Sequence, residues 1–189
     1  MRSKVFALLG VLGILVTWLF IAVAIATSPW FSWKVNALSD LGHSVKSKAA
    51  PIYNFGLALG GLLLAFYAVM ALTPRARASG VLMTIAAFAL QLIAVYDEVY
   101  GRLHTVVSIL FFIALTAASL AYSVEKRSKL ALAAFVVSIA AWALYWNGTY
   151  RAGVAVPETV SALAGSAWVV KDVVESLVEH NRLAGSKGK

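Results

Sequence analysis

Residues 51–72 read PIYNFGLALGGLLLAFYAVMAL and contain no charged side chain. A helix needs ~20 predominantly apolar residues to cross a hydrocarbon core ~30 Å thick. In hydrocarbon a helix also satisfies its own backbone groups, which an open strand does not. Runs of the same kind recur at 5–26, 80–96, 103–124 and 130–146. A sixth, at 152–170, is interrupted by Pro157 and Glu158. The expected fold is all-α: a polytopic membrane bundle of six transmembrane helices. The first run follows a basic start (Arg2, Lys4) and holds small residues at 22–26, as a signal peptide would. Its apolar stretch is longer than the ~7–15 residues of a signal peptide's apolar region, so it reads as a retained helix.

Composition points the same way. Hydrophobic residues make up 61% of the 189 positions and charged residues 13%. Soluble domains carry about 25% charged residues. The length suits one membrane domain, 1–189. The absence of cysteine excludes disulfides, thiolate nucleophiles and Cys-ligated metal centres. The net charge of +8 fits basic residues anchoring helix ends, so lipid is the expected partner and nucleic acid is not.

Lys and Arg set the expected orientation. Arg2, Lys4, Arg75, Arg77, Lys126, Arg127, Lys129, Arg182, Lys187 and Lys189 fall on one side, and Lys34, Lys46, Lys48, Arg102 and Arg151 on the other. The richer side should be cytoplasmic, with both termini inside, in a multi-pass protein of the cell membrane. The inner loops, 73–79 and 125–129, read as short and bland. The first outer loop, 27–50, is the longest. Its Trp30, Phe31 and Trp33 suit an interfacial aromatic belt, and 35–43 is expected to form a short helix lying in the interface. At the C-terminal end, Val170, Val173, Val174, Leu177 and Val178 recur at helical spacing. Residues 171–185 are therefore expected to form an amphipathic cytoplasmic extension, with Asp172, Glu175 and Glu179 on solvated faces.

Polar residues near a membrane span are costly and therefore informative. Asp40 and His43 lie in the first loop. Asp97 and Glu98 end the third run, Arg102, His104 and Ser108 open the fourth, and Glu158 opens the sixth. Asp40, Asp97, His104 and Glu158, with His43 at the rim, are the candidate residues of one outward-facing polar pocket. His and carboxylates together suit acid–base work or a metal, but neither HExxH nor HxxxH occurs, so the sequence leaves both metal and cofactor open. Asp97, Gly101, His104 and Ser108 make one stripe if the fourth helix starts early. If a turn intervenes at Gly101, Asp97 and His104 meet across a hairpin. Glu158 after Pro157 also fits a helix start, where the dipole favours a carboxylate. His180 reads as a surface residue. Gly56 and Gly60 form a GxxxG, suited to packing within the chain or against a second copy. Asn147-Gly148-Thr149 fits a glycosylation sequon, although closeness to the membrane argues against its use.

Three short motifs carry a family resemblance: Asn36-Ala37-Leu38-Ser39-Asp40-Leu41-Gly42, Tyr53-Asn54-Phe55-Gly56 and Gly101-Arg102-Leu103-His104. In this order the chain resembles the small archaeal and bacterial membrane proteins called domain of unknown function 998. The resemblance implies six membrane helices and brings no activity with it. Three functions fit the residues. The first is a membrane-embedded enzyme or lipid-headgroup-binding protein with an outer polar pocket. The second is a small transporter or channel, disfavoured because the first five runs hold no ionisable residue at mid-span. The third is a structural or accessory subunit.

Overall fold

The computed structural model describes residues 2–149 and 151–186, and among them there is no strand. Six helices follow one another: α1 (Arg2–Ala26), α2 (Ala50–Tyr67), α3 (Arg77–Val95), α4 (Arg102–Glu125), α5 (Lys129–Trp146) and α6 (Ala155–Ser186). A wider π-helical turn, Ala68–Leu72, continues α2. Five stretches, covering α1 to α5 and including that turn, are long and apolar enough to cross a membrane. Large apolar side chains cover the outside of the bundle, among them Leu15, Phe88 and Ile113. The fold is a helical membrane bundle.

The sixth helix differs in kind. From Glu158 to Val173 the buried positions of α6 are Glu158, Ser161, Gly165, Trp168, Val169, Asp172 and Val173, one face at helical spacing. Polar side chains on a spanning helix are tolerated when they face the bundle rather than lipid. The polar residues of α6 lower its mean apolarity, and it is not among the five stretches long and apolar enough to cross. From Glu158 to Asp172 it rises ~21 Å at 1.5 Å per residue.

Helices α1, α2, α3, α4 and α6 each pack on the next to form a ring, closed by α1 against α6. α5 stands outside the ring, on α4 and α6. Small residues make the tightest approaches. A Cβ added at Gly60 would lie 1.8 Å from Thr17 Oγ1 and 3.0 Å from the Gly13 carbonyl oxygen. One added at Gly56 would lie 2.2 Å from the Phe20 Cβ. The groove formed by the GxxxG is thus filled by α1 of the same chain.

Three local expectations need correction. The first loop makes only one turn of 3-10 helix, Leu38–Gly42, and Leu38, Ser39, Leu41 and Gly42 in it are buried. It plugs the ring instead of lying in the interface, because the apolar Leu38 and Leu41 point inward. At the other end, Asp172 is not on a solvated face: it is 1% exposed. The buried stripe there is Val169, Asp172 and Val173, while Val174 and Val178 are exposed. The loops at that end are not bland either, since the Glu125 carboxylate accepts from the Ala78 and Ser79 amides and the Ser79 hydroxyl, capping α3.

Candidate functional site at the first-loop end

The turn 38–42 is held from several elements at once. Within the loop, Asp40 Oδ2 accepts from the Ala37 amide at 3.0 Å and from Asn36 Nδ2 at 2.7 Å. Asn36 Oδ1 in turn accepts from the Ser32 amide at 2.9 Å. From α6, Glu158 Oε2 accepts the Leu38 amide at 2.7 Å. From the turn after α3, the Ser39 hydroxyl donates to Glu98 Oε1 at 2.6 Å, and the Ser44 amide donates to Asp97 Oδ2 at 3.3 Å. From α2, Asn54 Nδ2 donates to the Gly42 carbonyl at 2.9 Å. Position 42 has no room for a side chain, since an added Cβ would lie 2.5 Å from Asn54 Oδ1. The segment before α6 adds backbone pairing, Gly153 to Trp33 and Ala155 to Asn36.

The α3–α4 connection builds the second part of the site. Asp97 Oδ1 accepts from the Val99 amide at 2.8 Å and starts a 3-10 turn, Glu98–Tyr100. Gly101 follows at φ 53°, a backbone that favours glycine, and α4 begins at Arg102. The turn therefore separates Asp97 from the α4 stripe, and the carboxylate facing His104 is that of Glu98, 3.5 Å from Nε2. His104 is 7% exposed. Its Nδ1 lies 2.8 Å from the Tyr96 carbonyl oxygen. A carbonyl only accepts, so Nδ1 carries the hydrogen. That leaves Nε2 to the Ser108 hydroxyl at 3.3 Å and to Glu98. The imidazole is held where it can pass a proton between a hydroxyl and a carboxylate.

Below the plug, the ring helices line a partly open cavity of about 90 Å³. Ser39, Tyr53, Ser108 and Glu158 line its first-loop end, and Leu64, Met83, Leu115 and Val169 its far end. Along α2, Tyr53 to Leu64 spans ~16 Å. Apolar side chains from all five ring helices form the walls. Polar groups at mid-height are already paired: Thr17 donates to the Gly13 carbonyl, Trp18 Nε1 to Ser166, and Ser166 to the Ala162 carbonyl. The head differs. Tyr53 is 5% exposed and Glu158 8%. Neither the Tyr53 hydroxyl nor Glu158 Oε1 has a hydrogen-bond partner among the described residues.

At the opposite end of the ring Asp172 is buried. Its carboxylate accepts from the Tyr67 hydroxyl at 2.7 Å, the Tyr122 hydroxyl at 2.6 Å, and Arg75 Nη1 and Nη2 at 3.0 and 2.7 Å. One turn away, Trp168 stacks on Tyr122 at 4.7 Å and donates to Ser119 at 2.8 Å.

Of the five residues named from sequence, Glu158 alone lines the cavity. Asp40 and Asp97 hold the plug from above. His104 reaches the cavity through Ser108. His43, half-buried, accepts from the Val45 amide at 3.4 Å. Arg102 is exposed. Tyr53 and Glu98 join the site although sequence gave neither of them a role there. Among the described residues no group of three His, Asp or Glu side chains is placed to hold a metal. The three motifs meet at this end: Ser39 on Glu98, Gly42 on Asn54, and Glu98 on His104.

A family profile described as "Protein of unknown function (DUF998)" matches residues 11–171, from within α1 to the level of Asp172. No curated protein and no solved structure matches the chain.

Proposed function

The chain belongs to the DUF998 family of proteins of unknown function, and from that premise we propose that it binds one membrane amphiphile in its lumen. The polar head sits under the first loop, and the chain runs down between the five ring helices. The observation that supports this most is the one-ended polarity of the cavity. Glu158 Oε1 and the Tyr53 hydroxyl, which have no partner among the described residues, stand at its head, and apolar walls run ~16 Å below them. In this reading Asp40, Asp97 and Glu98 keep the plug seated. An ion path gains nothing from such walls, and a purely structural subunit has no use for the cavity. The deciding observation is where a photoreactive lipid chain cross-links, to lumen residues or only to the outer surface. A second reading, an enzyme acting on the bound head, is favoured by His104, whose Nε2 faces the lumen-lining Ser108.

We also propose that the first-loop end is extracytoplasmic, because Lys and Arg are more numerous at the opposite end. The chain has no native cysteine. Lys46→Cys and Lys126→Cys lie at exposed positions on opposite ends. An impermeant maleimide should label the first in intact cells and the second only after lysis, and the reverse pattern would invert the topology. Their neighbours Ser47 and Ser128 are 5% exposed each and unsuited to labelling.

A further inference from the structure

We propose that the lumen selects its amphiphile by the head: a single chain ending in an uncharged or cationic hydrogen-bond donor, such as a long-chain alcohol or amine, in preference to a phosphate or carboxylate. This rests on the amphiphile reading and adds the chemical class.

The head of the cavity offers acceptors. Glu158 Oε2 already takes the Leu38 amide, and Oε1 is left for a ligand. Ser39 gives its hydrogen to Glu98, which leaves its oxygen lone pairs. The Tyr53 hydroxyl can serve either way. No Lys, Arg or His lines the cavity. An anionic head would find no cation to pair with there, and an unpaired charge taken out of water is costly. A donor on Glu158 Oε1 has the opposite effect. It gains a hydrogen bond to an oxygen that no described residue partners. The shape adds a second selection. The cavity is long and narrow, with walls contributed by all five ring helices. One chain fits that form, and a two-chain phospholipid does not.

The test is thermal melting of the purified full-length chain in a non-ionic detergent, titrated with dodecanol, dodecylamine, dodecyl phosphate or laurate. Dodecanol and dodecylamine should raise the melting temperature saturably, and the two anions should not. Glu158→Gln retains an acceptor for the Leu38 amide, so the fold should persist. It should weaken the amine at least tenfold. Tyr53→Phe, which removes one hydroxyl, should weaken both neutral and cationic heads while leaving the melting temperature without ligand unchanged. Equal or better binding of dodecyl phosphate overturns the selectivity and leaves the amphiphile reading standing. So does amine binding indifferent to Glu158→Gln. Absence of any effect from all four compounds, with no lipid cross-linked in the lumen, removes both.

Discussion

Asp172→Ala is expected to destabilise the bundle by about 3–5 kcal/mol, the cost of removing one partner from a buried charged cluster. Four hydrogen bonds end on this carboxylate, from Tyr67, Tyr122 and both terminal nitrogens of Arg75. Bonds to a charged acceptor are roughly twice as strong as neutral ones. They tie the far ends of α2 and α4, and the α2–α3 connection, to α6. Burial works against the Arg75 charge, but Asp172 outweighs it and holds the guanidinium above its ordinary pKa. Without Asp172, two tyrosine hydroxyls and a partly buried cation lose their partner together. Glu175→Ala is the control. Glu175 is exposed and pairs with Lys171 one turn along, and such pairs contribute about 0–1 kcal/mol. Thermal melting in detergent should separate the two variants widely, and coincident curves would mean that the Asp172 cluster holds nothing together.

Gly60→Leu should cost up to about 3 kcal/mol, the upper end of overpacking penalties. Membrane helices gain nothing from leaving water for each other, so close packing carries their association. At Gly60 the α1 and α2 backbones approach so closely that even a Cβ meets Thr17 Oγ1 and the Gly13 carbonyl. The hydroxyl can rotate away, but the carbonyl belongs to the helix and cannot. The two helices must separate, and the lumen wall at Ile14 and Leu57 opens with them. Leu substituted at exposed Gly148, where an added Cβ meets nothing within 4 Å, is a poor control because φ there is 66°. Ala58, half-buried on α2, serves better: Ala58→Leu should shift the melting curve much less. Equal shifts would show that the glycine is not at a contact.

Much of the fold is legible in the sequence because a lipid solvent writes long apolar runs. The run at 51–72 has no charge to obscure it. α6 is less legible because its polar residues face inward, and mean apolarity does not distinguish an inward carboxylate from an exposed one. Asp172 shows the difficulty. It falls between Lys171 and Val173 in a pattern that reads as a tail, and its partners Tyr67 and Tyr122 lie 105 and 50 residues away. One local signal was available: Asp172 follows Trp168 by four residues and Val169 by three, which puts it on their face of the helix. At the first-loop end, the gathering of polar residues at one depth is visible in sequence. Which carboxylate faces His104 is not, because the turn at Gly101 exchanges Asp97 for Glu98.

Photo-cross-linking shows whether an amphiphile occupies the lumen. Single-chain diazirine lipids with hydroxyl, phosphate and phosphocholine heads would be incorporated together into membranes holding the protein, irradiated, and the labelled residues mapped. Mixed heads make the result independent of head selectivity. Label is expected on lumen residues such as Leu57, Phe111 and Ala162, and should be lost from the lumen when Ala162→Leu fills the space. Label confined to outward residues such as Leu15, Phe88 and Ile113, unchanged by Ala162→Leu, would contradict it.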